Sequence, residues 1–126
     1  MTPEQFSYGT VALGESAQSS SAVNLTNSGN VNEDFSIRGN PASDGATTWT
    51  LLASGEGDPG SNTYVHEYGV GSSGSWIRMN PLSATKFTTG VAPAGTRDLW
   101  FKISLPTASD TLGTFTTTIY LVAEQH

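Results

Sequence analysis

Apolar and polar positions alternate with a period of two over many short stretches of this chain, and clusters of turn-forming residues separate them. No apolar stripe recurs at helical spacing, and runs of Ala, Leu, Glu, Lys and Gln are missing. The pattern predicts strands. The last two are the clearest. In "RDLWFKISL", Leu99, Phe101, Ile103 and Leu105 alternate with Trp100, Lys102 and Ser104. In "GTFTTTIYLVAE", Phe115, Thr117, Ile119 and Leu121 alternate with Thr116, Thr118, Tyr120 and Val122. "SAVNLTN" points Val23 and Leu25 inward, and "DFSIRG" does the same with Phe35 and Ile37. "TTWTLLA" carries Trp49 and Leu51 on one face, and "TYVHEYGV" carries Tyr64, His66 and Tyr68. "WIRMN" alternates Trp76 and Arg78 with Ile77 and Met79, and an edge strand is expected around Lys86–Thr88. The opening "EQFSYGTVAL" starts with Phe6 and Tyr8 on one face; Gly9 permits a bend, after which Val11 and Leu13 take over.

Those stretches amount to about eight or nine strands, a number that suits an antiparallel two-sheet β-sandwich better than a small barrel. Val23, Leu25, Phe35, Ile37, Leu99, Phe101, Ile103, Phe115, Ile119 and Leu121 should form its inner faces. "NSGN" within "VNLTNSGNVNEDFSI" reads as the turn between two strands, because Asn and Gly tolerate positive φ and Asn amides bond their own backbone. No repeat or linker divides the 126 residues, so residues 1–126 are expected to form one domain.

Composition sharpens this picture. Hydrophobic residues make up 36% and charged residues 13%, and Ser, Thr, Gly and Asn fill the difference. Such a mixture is compatible with disorder, but three Trp, four Tyr and five Phe placed in alternating runs argue for a folded domain. The net charge of −6 comes from scattered residues, with no basic stripe, which disfavours nucleic acid and anionic membranes as partners. There are no cysteines, so zinc–thiolate sites, disulfides and thiol chemistry are excluded. No apolar run has the length of a membrane span and none reads as a secretory leader; a secreted parent would contain this stretch as a mature fragment.

One segment, "FSYGTVALGESAQSSSAVNLTNSGNVNEDFSI", resembles the start of the Ig-like family found in ASPM and hydin (the ASH domains) and in many bacterial surface proteins. The matching residues are Phe6, Tyr8, Gly9, Val11 and Gly14, then Val23, Leu25, Asn27, Gly29, Asn30 and Phe35. "LWFKISLPTASDTLGTFTTTIYLVA" looks like the paired final strands of the same sandwiches, whereas residues 40 to 95 depart from the family's shorter pattern. The resemblance implies an Ig-like sandwich acting as an interaction or structural module at the cell surface or outside the cell.

The residues that could carry chemistry are few. His66 and His126 are the only histidines, and strand alternation places Glu67 on the face opposite His66, so no local His–Glu dyad forms. Nothing matches a G-x-S-x-G elbow, and no enzyme is expected. Calcium is the one cofactor for which the loops offer ligands: Glu56, Asp58 and Asn62 of "SGEGDPGSN" supply oxygens, although their spacing is not that of an EF-hand and Asp-Pro-Gly is equally a plain turn. Trp49, Tyr64, Tyr68, Trp76 and Trp100 could stack on sugar rings if they are exposed, and would otherwise cover the core. Trp100, out of phase with Leu99 and Phe101, should face outward. Asn24-Leu25-Thr26 is a formal glycosylation triplet within a strand and is given no functional weight.

The expected function is a non-catalytic structural or adhesive module of an extracellular surface protein or filament. Its partners would be other copies of itself or neighbouring surface domains. Strand addition through the opening residues, with Phe6 and Tyr8 as anchors, is the route expected for self-assembly. The alternative is a module that binds polysaccharide through exposed Trp and Tyr.

Overall fold

The computed structural model describes residues 7–71 and 74–126. Among them are ten strands and no helix: β1 Ser16–Gln18, β2 Val23–Thr26, β3 Glu33–Arg38, β4 Ala42–Ser43, β5 Thr48–Leu51, β6 Thr63–Val70, β7 Ile77–Arg78, β8 Thr85–Val91, β9 Thr96–Ser104 and β10 Tyr120–Gln125. Seven form one sheet in the order β1-β9-β6-β5-β4, with β2 also on β9 and β7 on β6. The other sheet has three strands, β10-β3-β8. The all-β two-sheet sandwich expected from the alternation is the architecture found.

Strand β9 shows why. Leu99, Phe101 and Ile103 are buried, while Trp100, Lys102 and Ser104 are half-buried on the other face. Leu25, Phe35, Ile37, Trp49, Leu51, Tyr64, Tyr68 and Met79 complete the core between the sheets. Gly39 sits where backbone and core meet: a Cβ there would lie 2.9 Å from the Met79 Cβ and would overlap Leu51.

Four details differ from the expected strands. Ten form rather than eight or nine, because short pairings such as β4 with β5 and β7 with β6 add elements of two residues at the sheet margins. One pair, β5 with β6, is parallel, since the loop between them returns the chain in the same direction. Of the first expected strand, residues 4–6 lie outside the described residues and residues 7–13 are in no strand. The last begins only at Tyr120; residues 107–119 form no strand and are held by isolated backbone pairs, such as Thr116 with Ser43, and by side chains. There Phe115 stacks on Trp49 at 3.7 Å between ring centroids, Thr111 donates to Asp44, and Thr117 donates to the carbonyl of Asn40.

The "NSGN" stretch is a turn, held by a mechanism other than positive φ. Asn27 is 1% exposed. Its amide nitrogen donates to the carbonyls of Val31 and Val91, both at 2.8 Å, and its oxygen accepts from the Gly29 N–H at 2.9 Å. One side chain thus ties the β2–β3 turn to the end of β8.

Candidate functional site

The departures at residues 7–13 and 107–119 fall on the same side of the sandwich. There β1 and β2 form the margin of the large sheet, and β10 forms the margin of the small one. Among the described residues β10 has a strand partner on one side only, β3. Between these margins runs a cleft of about 1600 Å³. Leu25, Phe101 and Ile103 line it from the large sheet, and Phe115, Ile119 and Leu121 from the opposite wall. Alternation along β10 puts Ala123 on the same inner face as Leu121, opposite Phe35, yet Ala123 is exposed. The inner face is therefore uncovered toward the end of β10.

His66 of β6 also lines this cleft and is 1% exposed. Its Nε2 lies 2.7 Å from the Tyr8 hydroxyl, and the rings meet edge-on with centroids 5.7 Å apart. Its Nδ1 is buried without a hydrogen-bond partner among the described residues. Burial pushes the imidazole down to about 4, so it is neutral at pH 7, and burial pushes the Tyr8 phenol well above its usual range. The polar group that meets this imidazole is the Tyr8 hydroxyl.

The five aromatic candidates divide. Trp49, Tyr64 and Tyr68 are buried, at 5%, 0% and 1% exposure, and build the core rather than a platform. Tyr64 donates to the carbonyl of Asn40, and Trp49 donates to the Ser109 hydroxyl at 2.8 Å. Trp76 and Trp100 are half-buried on the outer face of the large sheet, with Lys102 Nζ 6.0 Å from the Trp76 ring centre. Trp100 thus faces outward, as its phase requires. Of the self-assembly anchors, Phe6 lies outside the described residues and Tyr8 is seated on His66.

The three calcium candidates share a loop but not a common point. Glu56 accepts from the Ala53 N–H at 2.7 Å, and Asn62, with φ 56°, accepts from the Asp110 N–H at 3.0 Å. Asp58 faces Arg78 at 3.8 Å. Arg78 also donates to the carbonyls of Ala53 and Gly57, so a guanidinium already supplies this loop with positive charge. Among the described residues no three His, Asp or Glu side chains are grouped to hold a metal.

Alternation alone did not reveal the carboxylate clasp at Asp34. Its oxygens accept from Lys86 Nζ at 2.9 Å and the Gly90 N–H at 2.9 Å, and one lies 2.7 Å from His126 Nδ1. These contacts hold the carboxyl well below the usual range, with the Lys86 hydrogen bond the largest cause. They tie the end of β10 to β3 and β8. Set beside protein-family models, curated proteins and solved structures, the chain matches none.

Proposed function

We propose that this domain is a structural, non-catalytic module of an extracellular or cell-surface chain, and that copies join by adding a strand to the open side of the sandwich. The observation that supports it is the coincidence of β10, a sheet edge with no second strand partner among the described residues, with a cleft that Tyr120 and Leu121 of β10 line. An unpaired edge is a template for another strand, and natural domains normally blunt or cover it. The cleft is larger than the roughly 300–1,000 Å³ typical of small-molecule pockets, and an extended peptide added to a sheet edge places alternate side chains in such a space. Light scattering after size exclusion tests this. The intact protein should give species larger than 13.2 kDa, and Ala123→Arg, which puts a charge on the exposed inward-facing side of β10, should return it to a folded monomer. A monomer at every concentration of the intact protein would overturn the proposal.

A second reading, polysaccharide binding, is favoured by one observation, the pair of half-buried tryptophans on the outer face of the large sheet. Sugar rings could stack on Trp76 and Trp100 beside Lys102. Electrophoresis in gels containing varied glycans checks it: retardation that Trp76→Ala removes supports sugar binding, and unretarded migration in all of them opposes it.

A further inference from the structure

We propose that residues 7–13 of one copy are the strand received by the cleft of a second copy, seated by Tyr8 of the first on His66 of the second. This rests on the strand-addition reading above and names its donor and its anchor.

Apolar side chains such as Leu25, Phe101, Ile103, Phe115 and Ile119 line the cleft together with Ser and Thr hydroxyls, and among its described lining residues the one buried polar side chain is the His66 imidazole. A phenol fits such a site: its ring packs against the walls and its hydroxyl reaches the imidazole. Tyr8 makes that fit within the chain, at 2.7 Å. Val11 and Leu13 follow it, packed partly against the core. Gly9, at φ +74°, turns the chain so that Tyr8 and Val11, three residues apart, both reach inward.

The backbone of this segment is only half engaged. Among the described residues, Thr10, Val11 and Leu13 make no backbone–backbone hydrogen bond. The reason is a tether. The Gly14 N–H donates to Pro106, and Leu105 donates to the carbonyl of Glu15, so the chain is led straight into β1 on the large sheet. From that anchorage the segment places side chains in the cleft but forms no ladder with β10. A segment arriving from a second copy has no such tether to the acceptor. It can lie along β10, repeat the Tyr8–His66 contact, and add the missing ladder. Exchange of an identical element between copies keeps the side-chain contacts and gains backbone bonds, a low-cost route to association.

The absence of cysteines makes the test direct, because introduced thiols are the only ones present. One population carries Thr10→Cys and a second carries Val122→Cys, both at exposed positions. They are mixed and treated with a short bismaleimide. The expected result is a mixed dimer adduct several-fold above that from either population alone, lost when residues 1–8 are deleted from the Thr10→Cys chain. Tyr8→Phe in that chain, which keeps the ring and removes the hydroxyl, should lower the yield several-fold. Larger species by light scattering without a mixed adduct would overturn this donor while leaving strand addition standing. A mixed adduct unaffected by Tyr8→Phe would overturn the anchor. The absence of any species larger than a monomer would overturn both this inference and the reading it rests on.

Discussion

Lowering the pH from 7 to 5 should destabilise this protein through one side chain. His66 is neutral in the fold because burial holds its imidazole at about 4, against an ordinary value near 6.5. Between those values the unfolded chain binds a proton that the folded chain does not, so falling pH favours unfolding. The stability is fully present above pH 6.5, declines below it, and stops declining near pH 4, where the folded imidazole also protonates. Integration of that difference from pH 7 to pH 5 gives a loss of about 2 kcal/mol. With urea dependences of about 1–3 kcal/mol per molar, the unfolding midpoint should fall by roughly 0.7–2 M. Asp34 and Asp44, held low, stay ionised across this window and contribute little change. Urea titrations at both pH values, in a His126→Gln background that removes the other imidazole, isolate the effect. His66→Phe should abolish most of the pH dependence whatever it does to stability at pH 7. An unchanged midpoint between pH 7 and 5, or an equal shift in His66→Phe, would refute the assignment of a buried neutral imidazole.

Three further outcomes are expected. Asn27→Ala removes three hydrogen bonds and deprives the buried Val91 carbonyl of its donor, which should cost about 2–4 kcal/mol in chemical denaturation; Asn27→Asp should be no better, since a carboxylate would face two carbonyls. Gly39→Ala should cost about 1–3 kcal/mol by overpacking against Met79 and Leu51, and Leu51→Val in the same chain should recover part of it in thermal melts. Asp44 is held down to about 2, chiefly by the Thr111 hydroxyl, so its contribution is intact above pH 4 and disappears as the pH falls toward 2; Asp44→Asn should flatten that limb of an acid titration followed by circular dichroism.

The sandwich was legible where one face is apolar and the other polar. The phase of β9 placed Leu99, Phe101 and Ile103 inside and Trp100 outside without further information. Residues 115–121 show where the signal stops. Phe115, Ile119 and Leu121 do pack on the core, as their spacing suggests, but only Tyr120 onward joins a ladder. Alternation reports which side chains seek the core; it does not report that this stretch will meet residues 40–44 through one isolated backbone pair, Thr116 with Ser43, and through the Thr111 and Thr117 hydroxyls rather than through a continuous ladder. The parallel β5–β6 pair was hidden for a similar reason, since strand direction leaves no mark on hydropathy. His66 shared a face with Tyr64 and Tyr68 in the pattern, yet its role needed the distant Tyr8, 58 positions away. The open side of the sandwich depends on which edges remain unpartnered, and that is a property of topology.

If the margin between β2 and β10 receives another strand, the protein associates in solution. Light scattering after size exclusion, with calcium and with chelator, should then give species larger than 13.2 kDa in both buffers, dissociating when residues 1–8 are removed. A single monomeric mass in both buffers and at every concentration would contradict it.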